Sequence, residues 1–253
     1  MNNNYYNGYQ QGYPNPQNNY NNMAQTGWDY EQGLAAYTRK TFLWMFIGLA
    51  ITFGVSMIMA ANGGVFAIRL VLFNPVLYYG LAIVELILVV VLGMAVNKMP
   101  PAVCTGVFLA YAALNGITIA PALICYELGS VIAVFAVCAG IFGAMALYGY
   151  VTKRNLAKLG VICTFGLIGV LVFSLIGFFI HLETIEILIS VVAIVVFMGF
   201  TAYDTKKIKE FYAQYQGNEV MIKKTAIMSA LQLYLDFINM FLYLLRLFGK
   251  SRN

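Results

Sequence analysis

Residues 226–248 read AIMSALQLYLDFINMFLYLLRLF. Wound as a helix, this stretch is about 35 Å long, enough to cross the hydrocarbon of a bilayer. Asp236 stands near its middle. A charge at that depth costs roughly 2.5–3.5 kcal/mol on insertion scales, so it needs a partner or a task. It has polar company. Ser229, Gln232, Asp236, Asn239, Tyr243 and Arg246 recur at spacings of 3, 4, 3, 4 and 3, which sets all six on one stripe of a helix. Leu, Ile, Met and Phe dominate the other faces. A polar stripe on a spanning helix avoids lipid and turns toward protein or water. The expected arrangement is an interior last helix with the other helices packed around it. A polar seam that only glues helices is the plainer reading, but glue rarely needs an ionisable carboxylate.

Working outward, the whole chain shares this character. Of 253 residues, 61% are hydrophobic and 10% charged, against about 25% charged in a soluble domain. The fold class that follows is an all-α membrane protein, a seven-transmembrane-helix bundle. The net charge of +5 sits in short loops, where it sets orientation, and is not a nucleic-acid signature. Cys104, Cys125, Cys138 and Cys163 lie in or beside apolar segments without metal-type spacing, and read as small buried apolar residues. No apolar leader opens the chain.

Residues 1–33 are rich in Asn, Tyr, Gln, Gly and Pro. Such a segment cannot bury enough apolar surface to order itself, so a flexible cytoplasmic tail is expected. The membrane domain is expected over 34–249, followed by a short polar C-terminus, 250–253. Its seven apolar segments are Thr41–Ala61, Val76–Val96 (opened by Asn74-Pro75), Pro101–Leu123, Gly129–Tyr150, Gly160–Ile180, Ile185–Asp204 and Ala226–Phe248. In the fourth, Ala136, Gly140 and Ala144 form a small-residue face suited to close helix packing.

With the N-terminus cytoplasmic, the inner segments hold eleven of the 15 Lys and Arg residues, and the outer ones hold Arg69, Arg246, Lys250 and Arg252. The bias favours an N-terminus inside and a C-terminus outside. A re-entrant last helix, with both termini inside, is the alternative. His181, the one histidine, falls in an outer loop and reads as an interface residue.

Ionisable groups within the spans are few. Glu85 is the only charge in the second segment, Asp204 closes the sixth, and Asp236 lies in the seventh. Two like charges at close range cannot both stay ionised, so Asp204 and Asp236 form a candidate proton-sharing pair. Carboxylates are also ligands for hard cations, which makes the pair a candidate transient calcium site. Depth opposes their meeting. Asp236 lies about 15 Å along the helix from Ala226, whereas Asp204 sits at the end of its apolar run. They meet only if the last helix begins outside the membrane or the sixth segment extends less far. Asp204 taken alone also reads as a border carboxylate screened by Lys206 and Lys207. Tyr111, Asn115 and Thr118 form a second polar stripe. With Glu85, Gln232, Asn239 and Tyr243 they are candidates for a polar path continuing from Asp236, although a protonated Glu85 bonded within the bundle is the simpler reading.

FTAYDTKKIK at 200–209 and LQLYLDFINMFLYLLRLFG at 231–249 resemble the two signature segments of the Bax inhibitor-1 family, and VELILVVVLGMAV at 84–96 is similar to that family's second helix. The resemblance covers about residues 34–249 and suggests a bacterial-type member in the cytoplasmic membrane. It implies a last helix wrapped by six others and a pH-sensitive calcium leak. It also implies paired acids at Asp204 and Asp236 and a further acid at Glu85. In a bacterial relative, an arginine near the cytoplasmic end of the second helix can pair with the sixth-helix acid. That place is Val96 here, so Lys98, the nearest base, is the candidate latch partner.

The expected function is therefore a proton-gated cation leak with no cofactor, acting on calcium and protons within a lipid bilayer. No nucleic-acid partner and no enzymatic activity are expected. Two aspartates on consecutive helices also suit an intramembrane aspartyl protease, and Tyr203-Asp204 matches the YD pair of such enzymes. However, Leu233-Tyr234-Leu235-Asp236 departs from their GxGD motif, and Pro121-Ala122-Leu123 precedes both acids instead of following them. The alternative class is a membrane interaction protein that modulates a protease or a stress regulator through helix contacts.

Overall fold

Apolar runs broken by Pro, Gly and charged loops leave the backbone one economical choice, since a helix satisfies its own peptide groups without water. The computed structural model of the chain describes residues 16–61, 64–96, 98–180 and 183–252. Within them lie α1 (Pro16–Ala60), α2 (Val65–Phe73), α3 (Pro75–Ala95), α4 (Pro101–Ile124), α5 (Leu128–Val151), α6 (Ala157–Ile180), α7 (Glu183–Tyr215) and α8 (Glu219–Phe248). All but α2 are long and apolar enough to span a bilayer. The molecule is an all-α, integral multi-pass membrane protein.

The breakers act where the sequence places them. Pro75 and Pro101 occupy the first turns of α3 and α4, where a missing N–H costs nothing. Gly217 ends the α7–α8 hairpin with φ 88°, a left-handed conformation that suits glycine. Asn218 then caps α8 by accepting a hydrogen bond from the Met221 N–H at 3.1 Å.

Three elements differ from the sequence reading. The short helix α2 was not expected; it starts after Gly64 (φ 72°) and buries Ala67 and Leu70 beside α3 and α4. Helix α7 continues through TKKIKEFYAQY to Tyr215, and α8 begins at Glu219 rather than Ala226. Lys, Glu, Gln and Ala are good helix formers, and no breaker intervenes before Gly217. The two helices are about 50 Å and 45 Å long, well beyond the ~30 Å of hydrocarbon. Finally, α1 begins at Pro16, so residues 16–33 are helical where composition suggested a flexible tail. Adding turns to an existing helix needs no new nucleus. Residues 1–15 lie outside the described residues, as does His181.

The chain divides into two units, Met1–Ala36 and Tyr37–Asn253. In the first, residues 16–36 are helical. In the second, α7 and α8 are joined by the tight turn at Gly217. The last residues return onto the α4–α5 loop: the Glu127 N–H donates to the Lys250 carbonyl at 2.9 Å, and the Arg252 N–H to the Cys125 carbonyl at 2.8 Å. An ion pair between Lys250 and Glu127 at 2.9 Å reinforces the clasp. This overturns the re-entrant alternative, because α8 runs unbroken to the end of the bundle opposite its hairpin with α7. It also makes residues 250–252 part of the fold rather than a loose polar end.

Helix α8 is the most enclosed span, with 67% of its apolar window buried against 11–44% for the others. It packs on α7, α5 and α4. Its aromatic residues meet their neighbours edge-on: Tyr234 meets Phe108 at 5.8 Å, Phe237 meets Phe135 at 5.2 Å, and Phe241 meets Phe53 at 5.5 Å. By contrast, α3 and α6 expose Leu, Ile, Val and Phe along most of their length, as lipid-facing helices do.

Glycines set the closest crossings. A Cβ on Gly149 of α5 would run into the backbone of Ala202 on α7. One on Gly160 of α6 would lie 2.8 Å from the Tyr203 ring. These contacts grip α7 just before Asp204. The Ala136, Gly140 and Ala144 face does not serve as the expected packing surface: all three are exposed, and a Cβ on Gly140 would meet nothing within 4 Å. A small-residue face allows close approach but does not require it. Gly149→Ala is thus expected to cost about 1–3 kcal/mol by overpacking, whereas Gly140→Ala is expected to be neutral or to gain up to ~1 kcal/mol from helix propensity. Thermal unfolding in detergent micelles measures the difference.

Candidate functional site

The polar stripe of α8 is divided by its surroundings. Ser229 and Asp236 are buried, Gln232, Asn239 and Tyr243 are half-buried, and Arg246 is exposed. The stripe was expected to face inward as a whole. In fact large apolar and aromatic side chains fill more of the interior, and only two of its polar groups are fully enclosed. Asn239 spends its amide on its own helix, donating to the Leu235 carbonyl at 2.8 Å. Tyr243 stacks on Phe197, with Arg246 over its outer side. Gln232 makes no hydrogen bond among the described residues.

Asp236 (5% exposed) and Asp204 (7%) are both buried, and each lies within the other's electrostatic reach. The depth objection disappears because both helices overrun the membrane. Counted from the hairpin, Asp204 lies about 18 Å back along α7 and Asp236 about 26 Å along α8. The remaining stagger of about 8 Å explains why the two carboxyls do not share a hydrogen bond. Among the described residues neither carboxyl is hydrogen-bonded or ion-paired. The Asp236 Oδ2 atom is buried without a hydrogen-bond partner, and Ser229 lies two turns, about 10 Å, nearer the hairpin on the same helix face, against the Tyr37 hydroxyl. Buried oxygens of this kind are uncommon and call for an explanation. The thiol of Cys163, on α6, is buried within electrostatic reach of both acids. Cys104 and Cys138 are also buried, but Cys125 is exposed in the α4–α5 loop, contrary to expectation.

The bases near this pair are engaged elsewhere. Lys98 is exposed and makes no ion pair among the described residues, so the expected latch to Asp204 is not formed. The cation within electrostatic reach of Asp204 is Lys207, one turn further along α7. Its ammonium stands over the rings of Tyr203 and Phe211, at 5.5 and 5.3 Å. Lys206 donates to the Arg154 carbonyl. Neither lysine screens Asp204 by a direct contact, so a border carboxylate is a poor description of a side chain so well enclosed. Among the described residues, no three His, Cys, Asp or Glu side chains cluster to hold a metal ion.

A second polar cluster lies on another side of α8. Glu85 accepts at both oxygens, from Asn115 Nδ2 at 3.1 Å and from Thr118 Oγ1 at 2.7 Å. Tyr234 OH donates to Asn115 Oδ1 at 3.0 Å and lies 2.7 Å from Thr52 Oγ1. A string of hydrogen bonds through Thr52, Tyr234, Asn115 and Glu85 thus ties α1, α8, α4 and α3 together. Sequence spacing found Glu85, Asn115 and Thr118 but missed Tyr234 and Thr52. Tyr234 sits among the apolar residues of the helix, and two hydroxyls on distant helices carry no spacing signal. Because Tyr234 and Asp236 are two residues apart, they point about 200° apart around the helix. The expected path from Asp236 to Glu85 is therefore two clusters on opposite sides of α8.

Comparison with known proteins agrees with this architecture. The profile of the family described as inhibitor of apoptosis-promoting Bax1 matches residues 34–253. The inner membrane protein YbhL of Escherichia coli is 40% identical over 221 residues, covering 87% of this chain and 94% of its own. A protein of Borreliella burgdorferi is 35% identical over 217 residues, covering 86% and 93%. One from Rickettsia prowazekii is 34% identical over 232 residues, covering 88% and 93%. With α7 and α8 carrying the two signature segments and the match running from Leu34 to the C-terminus, the chain belongs to the Bax inhibitor-1 family.

Proposed function

We propose that the protein is a pH-sensitive calcium leak of the bacterial cytoplasmic membrane, not an enzyme, with Asp204 and Asp236 as its titrating gate. The observation that carries this reading is the enclosed carboxyl pair at the α7–α8 seam, with an orphaned Asp236 oxygen. Two negative charges in a medium of low dielectric repel, and a proton or a cation relieves the repulsion. When the pair holds a proton, the seam stays shut. When both acids are ionised, the site attracts a divalent cation, which takes carboxylate oxygens as ligands. Calcium is cargo here, so a site short of a full coordination shell suits passage better than retention.

The asymmetry of positive charge supports a cytoplasmic N-terminus. Lys98, Lys153, Arg154, Lys158, Lys206, Lys207, Lys209, Lys223 and Lys224 gather at the end of the bundle that carries the α7–α8 hairpin, and the clasped C-terminus marks the other end. The same end would then face cytoplasmic protons.

Calcium entry into proteoliposomes tests the gate. Flux is expected to rise as the pH is raised and the second of the two buried acids loses its proton. Asp204→Asn and Asp236→Asn are each expected to flatten that pH dependence; unchanged flux and slope in both variants would refute the assignment. Tyr234→Phe separates gate from scaffold. It breaks the string of hydrogen bonds from Thr52 to Asn115 and is expected to lower stability by about 1 kcal/mol while leaving the pH dependence of flux in place.

A further inference from the structure

A cleft runs along the bundle between α1 and α5, floored by Phe237 of α8. Phe53 on α1 meets Phe135 on α5 edge-on at 4.9 Å and divides the cleft in two. The half nearer the α7–α8 hairpin is a cavity of ≈ 420 Å³ walled by Phe42, Leu49, Phe142, Gly143 and Leu147. The other half, ≈ 780 Å³, ends at Glu127 and Arg252 beside the C-terminal clasp. Both lie along spans whose outer faces meet lipid.

The first cavity carries a polar feature that its walls do not explain. Thr38 and Thr205 are among its lining residues, and their hydroxyl oxygens are enclosed in its wall without hydrogen-bond partners. At the same end, Lys209 stands 4.7 Å over the ring of Tyr150, another lining residue, and donates to its carbonyl at 3.1 Å. Arg154, exposed, follows in the next loop. Reading along the cleft from its middle to this end, the chemistry is apolar, then hydroxyl donors, then cations.

We infer that this half of the cleft is a binding site for one membrane glycerophospholipid. An acyl chain fills the apolar length, an ester carbonyl accepts from Thr38 and Thr205, and the phosphate lies against Lys209 and Arg154. A glycerophospholipid presents these three chemistries in the same order, with spacing set by its glycerol. Because Phe237 forms the floor and adjoins Asp236 in α8, the bound chain props the helix that carries the acid. The site does not depend on the calcium reading and stands or falls without it.

Photolabelling tests it with the full chain in phosphatidylethanolamine and phosphatidylglycerol vesicles doped with a phospholipid bearing a diazirine on one acyl chain. Labelled peptides are expected to concentrate several-fold on α1 and α5 residues of the cleft over the exposed α6 face, which Phe165 and Phe173 represent. Gly143→Trp fills the cavity, and its Cβ would meet nothing within 4 Å. It is expected to cut cleft labelling roughly tenfold. Gly169→Trp, equally open but on α6, is expected to leave it unchanged. Thr205→Val is expected to lower retention of the phospholipid in native mass spectrometry several-fold. Uniform labelling of wild type around the bundle, or equal labelling in the two Trp variants, would mean ordinary annular lipid and overturn the site. Labelling by a diazirine fatty acid that matches the phospholipid and persists in Thr205→Val would also overturn it, since the ester and phosphate contacts would then contribute nothing.

Discussion

An ionisable oxygen cannot rest in hydrocarbon, and that constraint governs this bundle. Asp236 sits deep in a span with no ion-pair partner among the described residues, so α8 must be enclosed before it can be tolerated. The aromatic side chains on the other faces of α8 provide that enclosure. Phe108, Phe135 and Phe53, from α4, α5 and α1, close on Tyr234, Phe237 and Phe241. In lipid, association comes from such packing and from internal hydrogen bonds, not from exclusion of water. The string of hydrogen bonds from Thr52 to Glu85 adds a second restraint. It ties four helices through side chains whose unbonded alternatives would be costly.

Within that enclosure, backbone contacts decide where the second acid lies. Gly149 and Gly160 let α5 and α6 press against α7 at Ala202 and Tyr203, immediately before Asp204. The overrun of α7 and α8 past the apolar runs then brings two acids that begin at different depths into each other's field. The pair is near enough to interact and too far staggered to bond.

Much of the fold was legible because helices in membranes follow composition closely. Pro75, Pro101 and the apolar runs placed four of the seven spans within a few residues at both ends, and the other three at one end. The helical extensions at 205–215 and 219–225 were missed because hydropathy reports where lipid ends, not where a helix ends. At the site, spacing grouped Glu85 with Asn115 and Thr118 correctly. It failed for Gln232, Asn239 and Tyr243, because a stripe of polar residues shows which residues share a face but not what that face meets. Lys98 was chosen as the nearest base along the chain; in space the cation beside Asp204 is Lys207, held over two rings.

The amino-acid order by itself determined the all-α membrane class, the number of spans and the crowding of Lys and Arg in a few connecting segments. These depend on local composition and on the cost of burying charge, which each segment carries alone. Only the tertiary structure decided that Tyr234 rather than Asp236 joins Glu85, that the C-terminal residues clasp the α4–α5 loop, and that a cleft opens between α1 and α5. Those outcomes depend on how helices distant in sequence rotate and approach one another. That is a property of close packing between side chains, and no single segment encodes it.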